Sequence, residues 1–297
     1  MGSAKYDIET LVVDVREIVR TLGYTNCVLV SHDWGGVVAW QFVQRYPQMV
    51  TRFITMAMPH PKSWVKNFNL AQFAASWYIF FFQLPWLPEL FTTRRNHHMT
   101  RRGVFTGRAM GCKREGAVQS SDIDVYLWSA SPPGVTTRFI NYYRNVFTRN
   151  VMYGIVNPVP NTPLQVPVLS IIPDCDNAIL KSTYRGQAKY ASEMTELRLT
   201  SEFCSSLDAL CCGTRLCFAD SWHWVMLDAP REVVAAMCDF LDVEPAKRPT
   251  LESVSPVTAE PCTRAMFRNG ELEFGSTDTP LSLADLAGSQ TKRHTDM

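Results

Sequence analysis

The sequence lacks an excess of either charge: 29 lysines and arginines stand against 28 acidic residues, a formal net charge of +1, and neither sign gathers in long runs. A chain whose main business was nucleic acid or another polyanion would carry a basic surplus, so that class of partner is set aside. Also missing is the apolar core of a signal peptide: Met1 to Ile8 holds none, and Tyr6 stands where a myristoylation signal needs Ser or Thr. The longest apolar stretch, Phe73 to Phe91, approaches a membrane span in length but is interrupted by Gln83, Pro85, Pro88 and Glu89. It reads as a greasy lid over a pocket. A chain without a transmembrane segment, in the cytoplasm, is the expectation. The nine cysteines are odd in number and irregularly spaced, which argues for reduced thiols over a disulfide framework. Although Cys204, Cys211, Cys212 and Cys217 crowd together, no C-x-x-C pair or flanking histidine gives them zinc spacing. Neither a metal nor a cofactor is expected.

What is present is an alternation of helix and strand patterns. Ile8, Leu11, Val12, Val15, Ile18, Val19 and Leu22 recur at helical spacing and stop at Gly23, predicting a helix over 7–22 with a glycine at its end. Cys27 to Ser31 fits a buried strand, and after Gly35 and Gly36 a second helix runs to Tyr46, before Pro47. Further strands are predicted at Phe53 to Met58, Val166 to Ile172 and Arg215 to Ala219, with helices near 179–193 and 230–241. Such alternation implies an α/β fold, a parallel sheet with helices on both faces. Between Pro59 and Pro167 the alternation fails. The predicted division is therefore 1–60 and 161–243 for the two parts of an α/β core, 61–160 for an inserted helical cap, and 244–297 for a tail with the Ser, Thr, Pro and charge content of disorder.

Ser31-His32-Asp33-Trp34-Gly35-Gly36 lies where a strand must turn abruptly into a helix, the context of a nucleophile elbow. The central residue is Asp33; Ser31 falls two positions early, within the strand end, which disfavours a serine esterase. A carboxylate with an ordinary pKa near 3.9 is ionised at neutral pH and needs no base to attack. Its natural target is an electrophilic sp³ carbon, because the ester so formed carries a carbonyl that water can cleave. An epoxide and an alkyl halide both qualify. The alternative for Asp33 is a plain helix N-cap. Against it, His223-Trp224 precedes the final helix, where an α/β-hydrolase keeps its histidine. The order nucleophile, acid, histidine then asks for a carboxylate after the Val166 to Ile172 strand. Asp176 is the first choice and Asp174 its rival.

With these residues in place the sequence resembles the epoxide hydrolase family of α/β-hydrolases, and within it the membrane-associated animal type. The match runs from about Tyr6 to Leu241. It is carried by His32-Asp33-Trp34-Gly35-Gly36, Pro59-His60-Pro61, Asn141-Tyr142-Tyr143-Arg144-Asn145 and His223-Trp224. The elbow is shared with haloalkane and haloacetate dehalogenases; the N-Y-Y-R-N segment discriminates. The resemblance implies that Tyr78 and Tyr143 donate hydrogen bonds to an epoxide oxygen and that Asp33 forms an alkyl ester. His223, oriented by Asp176, would activate water against it, and the Trp34 N–H would serve the oxyanion, with His60 and Trp224 near the substrate. The implied substrate is a small apolar epoxide and the product a vicinal diol.

The resemblance also implies a preceding segment with a His-Gly-Phe-Pro-type loop, the first strands of the sheet, and an anchor to the endoplasmic reticulum in full-length members. The chain is thus expected to be an N-terminally shortened relative with impaired activity, its Cys27-Val28-Leu29-Val30 strand an open edge that invites self-association. A dehalogenase, or a non-catalytic relative acting by binding, remain the competing readings.

Overall fold

The structure is a computed structural model in which residues 3–106, 111, 112, 114, 116–147, 162–199, 223–243, 264–268 and 271–275 are described. It divides into two units, 1–245 and 246–297.

The first unit opens with helix α1, Ile8–Thr21, whose start is fixed by Asp7 accepting a hydrogen bond from the Thr10 N–H at 2.9 Å. It ends where Gly23 takes φ +81°, so that the Gly23 and Tyr24 N–H groups donate back to the carbonyls of Arg20 and Val19. A left-handed residue of this kind after a helix is what a glycine supplies without strain. Strand β1, Cys27–His32, then leads through a sharp turn into α2, Trp34–Arg45, and β2, Val50–Met56, follows. The remaining strands of this sheet are β3, Val168–Pro173, and β4, Met194–Leu199. All four are parallel in the order β1-β2-β3-β4.

Period-two alternation sends neighbouring side chains of each strand to opposite faces. Phe53 and Val168 join the core under α1 and α2, with Trp40, Phe42 and Val43. Ile54, Leu169 and Ile171 face the other way, against Val225 and Val233 of α9, Val225–Asp228, and α10, Pro230–Leu241. Helices on both faces explain why β3 is buried throughout. Among the described residues β1 is an edge strand, and Val28 and Val30 are each 43% exposed.

Between β2 and β3 the described residues form no strand. They build α3 (Pro61–Lys66), α4 (Leu70–Ala75), α5 (Trp77–Phe81), α6 (Leu87–Thr100), a π-helical turn over Arg101–Thr106, α7 (Ser120–Ala130) and α8 (Val135–Asn145). Among the described residues no helix is long and apolar enough to cross a membrane.

The helix predicted near 179–193 does not form. Two short 3₁₀ turns, Lys181–Tyr184 and Gln187–Tyr190, stand there instead, divided by Gly186 at φ +70°. Tertiary hydrogen bonds hold the segment down: Ser63 Oγ donates to the Thr183 carbonyl at 2.9 Å, and Gln187 Nε2 to Ser170 Oγ at 3.0 Å. The chain then enters β4, a strand the sequence reading missed. The strand predicted at Arg215–Ala219 and the cysteines at 204, 211, 212 and 217 lie outside the described residues. In the second unit the stretch expected to be disordered contains an antiparallel pair, β5 (Arg264–Arg268) and β6 (Glu271–Gly275); its other residues lie outside those described.

Candidate active site

The turn from β1 to α2 places Asp33 at φ 49°, ψ −122°, in the positive-φ region that costs a non-glycine residue strain. Its backbone is held on both sides, the N–H donating to the Met56 carbonyl at 3.2 Å and the carbonyl accepting from the Gly36 N–H at 2.8 Å. The sharpness of the turn depends on Gly36: a Cβ there would sit 2.6 Å from Met58 Cβ. Ser31 stays in the strand, buried, with its hydroxyl on the Ile54 carbonyl at 3.4 Å, and does not meet a histidine.

His223 reaches the elbow from the segment before α9. Its Nε2 lies 3.6 Å from Asp33 Oδ1, and its Nδ1 lies 2.8 Å from Asp176 Oδ2. Asp176 follows β3 and is fully buried; its other oxygen accepts the Ala178 and Ile179 N–H groups at 2.7 and 3.0 Å. These bonds leave one carboxylate oxygen aimed at the histidine. The rival, Asp174, turns away to pair with Arg198 of β4 at 3.3 Å. Burial pushes the His223 imidazolium down, but the charge and hydrogen bond of Asp176, with the charge of Asp33, outweigh it and raise its pKa to about 9.

Above Asp33 lies a cavity of about 460 Å³, a size suited to a small organic ligand. Its lining is mostly apolar, with Val37, Met58, Phe73, Ile79, Phe147 and Ile179 among the contributors; the lining residues with side-chain oxygens are Asp33, Ser76, Tyr78 and Tyr143. The two tyrosines come from different helices, α5 and α8, with ring centroids 5.6 Å apart. Burial, then the nearby Asp33 charge, pushes both phenols up, so they remain protonated donors through the neutral range. Tyr143 also packs edge-on against Trp34, at 5.4 Å between centroids.

The spacing of those tyrosines is set by residues to which the sequence reading gave no such role. Gln83 Nε2 donates to the Tyr143 carbonyl at 2.8 Å and to the Ile79 carbonyl at 2.9 Å, tying α8 to α5. Arg144 pairs with Glu89 of α6 and donates to the Leu84 carbonyl at 2.8 Å. Buried Gln72 of α4 donates to the Ala178 carbonyl at 2.8 Å and accepts from the Leu180 N–H at 2.9 Å, joining this helical layer to the loop of Asp176.

His60 and Trp224, expected near the substrate, are not on the cavity wall. His60 is buried and stacked on Tyr190 at 4.1 Å, its Nδ1 accepting the Lys62 N–H at 3.1 Å. Burial first, then Lys62 and Lys189, lowers its pKa to about 3 and keeps it neutral. Trp224 packs its ring on His32 at 5.2 Å and on His223 at 5.2 Å. His60 thus packs against Trp40 and Tyr190, whereas Trp224 touches the site through the His223 ring.

Residues 2–158 match the sequence model of the alpha/beta hydrolase fold. Among curated proteins, Epoxide hydrolase 4 of Homo sapiens is 37% identical over 146 residues, 48% of this chain and 40% of that protein. Epoxide hydrolase 1 of Caenorhabditis elegans is 30% identical over 240 residues, 80% of this chain and 53% of that protein. The chain therefore spans about half the length of these relatives, 40% and 53%. Among solved structures, an epoxide hydrolase from Bacillus megaterium superimposes with a TM-score of 0.65 at 26% identity, covering 82% of this chain and 78% of that one.

Proposed function

We propose that this chain, which belongs to the α/β-hydrolase fold family and whose sequence relatives include epoxide hydrolases, opens an apolar epoxide to a vicinal diol through an ester on Asp33. The observation that carries the reading is the line Asp176, His223, Asp33, with the last of these lining a cavity that Tyr78 and Tyr143 also line.

In this reading Asp33 attacks a ring carbon, the carbon–oxygen bond breaks, and the electron pair passes to the ring oxygen, which Tyr78 and Tyr143 hold by hydrogen bonds. Forming the ester removes the Asp33 charge, one of the two carboxylate charges that keep the proton on His223. The imidazolium can then release that proton, which balances the one taken up by the alkoxide. Neutral His223 next takes a proton from water as the hydroxide adds to the ester carbonyl, with the Trp34 N–H facing the oxyanion. Collapse expels the diol and returns Asp33 as carboxylate and His223 as imidazolium. A halide-releasing enzyme would instead need N–H donors around the leaving group; Trp34 and Trp64 bring indoles to the same wall, but the Trp34 indole is hydrogen-bonded to Tyr143 and the paired phenols favour an oxygen leaving atom.

The same reading treats 61–160 as a cap on a core made of 1–60 and 161–243. Self-association through the exposed β1 edge belongs to it as well. The test is His223→Gln, which should alkylate but not hydrolyse. Intact-mass analysis after treatment with a styrene-type epoxide should show the chain plus one substrate, and no adduct with Asp33→Asn. An unmodified mass for His223→Gln under saturating epoxide would remove Asp33 from the nucleophile's role.

A further inference from the structure

The residue immediately before the elbow aspartate makes a long-range bond that the mechanism above does not use. His32 closes β1, and its Nε2 lies 2.8 Å from the backbone carbonyl of His223, a residue 191 positions away. A carbonyl only accepts, so Nε2 carries the hydrogen and His32 is the donor. The two imidazoles lie 5.0 Å apart, and the His32 ring also packs on Trp224 at 5.2 Å. Burial, then the charge of His223, pushes the His32 pKa down, consistent with a neutral ring; Asp33 and Asp176 act in the opposite sense.

From this arrangement we propose that His32 is a positioning residue for His223, and that it governs the ester-hydrolysis half of the reaction selectively. The inference rests on the reading given under Proposed function. His223 must meet two partners whose positions are already fixed, Asp176 at one nitrogen and Asp33 at the other. The Asp176 bond fixes one end of the imidazole but leaves its ring free to swing about that contact. A second tether, on the backbone of the same residue, removes the swing. Because that tether begins at the residue preceding Asp33, the base and the ester carbonyl share one frame, and a small displacement of either is felt as misalignment.

The selectivity follows from what each step needs. Asp33 attacks as a carboxylate, and His223 gives up its proton only after the ester has formed, so the alkylation rate depends far less than hydrolysis on how the imidazole is aimed. Hydrolysis does depend on it, because water must lie between Nε2 and the ester carbon. A residue that merely supported the fold would slow both steps or lower the amount of folded enzyme.

The experiment compares His32→Phe, which retains a ring against Trp224 but has no donor, with His32→Gln, whose amide N–H reaches a comparable distance. Single-turnover mixing with a styrene-type epoxide, quenched for intact-mass analysis, gives alkylation and hydrolysis rates separately. For His32→Phe the expected result is alkylation within about twofold of the parent and hydrolysis slowed roughly ten- to a hundredfold, so that ester accumulates. His32→Gln should recover most of the hydrolysis rate. Circular dichroism melts on both variants separate loss of fold from loss of positioning. If His32→Phe is folded and hydrolyses ester at the parent rate, or if both steps slow equally, the positioning role is wrong. His223→Gln run alongside distinguishes the two failures: if it accumulates ester while His32→Phe does not, the ester mechanism stands and only the role of His32 falls.

Discussion

The two sides of the cavity are held by different means. On the sheet side, Asp33, Asp176 and His223 are fixed by backbone: a strained elbow, two N–H groups on a buried carboxylate, and a carbonyl caught by His32. On the helical side, Tyr78 and Tyr143 are fixed by side chains, through Gln83 and the Arg144–Glu89 pair, and helices α4 and α5 with the connection to α6 carry Leu70, Phe73, Trp77, Leu84 and Trp86 exposed to solvent. Charge that must move protons is thus held by the less adjustable layer. The two layers meet at Gln72, whose amide bonds the Ala178 carbonyl and the Leu180 N–H beside Asp176.

The largest test of this division is on the helical side. Replacing both Tyr78 and Tyr143 by Phe keeps the packing and removes both donors. Epoxide turnover should fall by roughly ten- to a thousandfold for each phenol, with the melting temperature little changed. Near-parent turnover in the double variant would make the tyrosines packing residues and weaken the contrast.

On the sheet side the matching change is Gly36→Ala. The added methyl meets Met58 Cβ at 2.6 Å, with Thr55 Oγ1 at 3.2 Å as a second neighbour. Overpacking of this kind costs about 1–3 kcal/mol, whereas exposed Trp77→Ser should change stability by no more than about 0.5 kcal/mol. Urea melts of the two variants provide the comparison, and equal costs would show that the elbow side yields as readily as the helices.

The smallest effect is a pH dependence carried by His223. Its pKa is raised on folding from 6.5 to about 9, so the folded state binds the proton more tightly than the unfolded chain does. The stabilisation is fully present below about 6.5 and is lost as pH rises through about 9. Denaturation midpoints should fall across that interval in the parent and lose this component in His223→Gln. Parallel curves would mean that the proton is not held by Asp176 and Asp33.

Much of the sheet side could be read from the sequence because its signals are local. A strand running into Asp33-Trp34-Gly35-Gly36 can only turn one way, and the histidine and acid follow in chain order. The choice between Asp176 and Asp174 was not local: it is made by the N–H groups of Ala178 and Ile179 on one side and by Arg198 on the other. Strand β4 escaped notice because Met194-Thr195-Glu196-Leu197-Arg198-Leu199 is half polar and has no buried position, lying at the end of the sheet among the described residues. The apparent helix near 179–193 was an apolar spacing that tertiary bonds from Ser63 and Gln187 overrode. His32, Gln72 and Gln83 act through partners far away in the chain, and no short window of sequence contains both ends of such a bond.

The composition of the cavity wall bears on how a turnover would end. Phe73, Phe80 and Phe147 line the cavity and are also 51%, 44% and 50% exposed, so the way in and out passes between aromatic rings. On the proposed function such a passage suits an epoxide, whose single oxygen the two phenols would meet. A diol brings a second hydroxyl into a chamber with few further partners, and each hydroxyl left without one costs about 1–3 kcal/mol. The chamber would therefore retain its reactant more strongly than its product. Inhibition by accumulated diol should be weak, and the enzyme would clear itself by the change in polarity that its own chemistry creates.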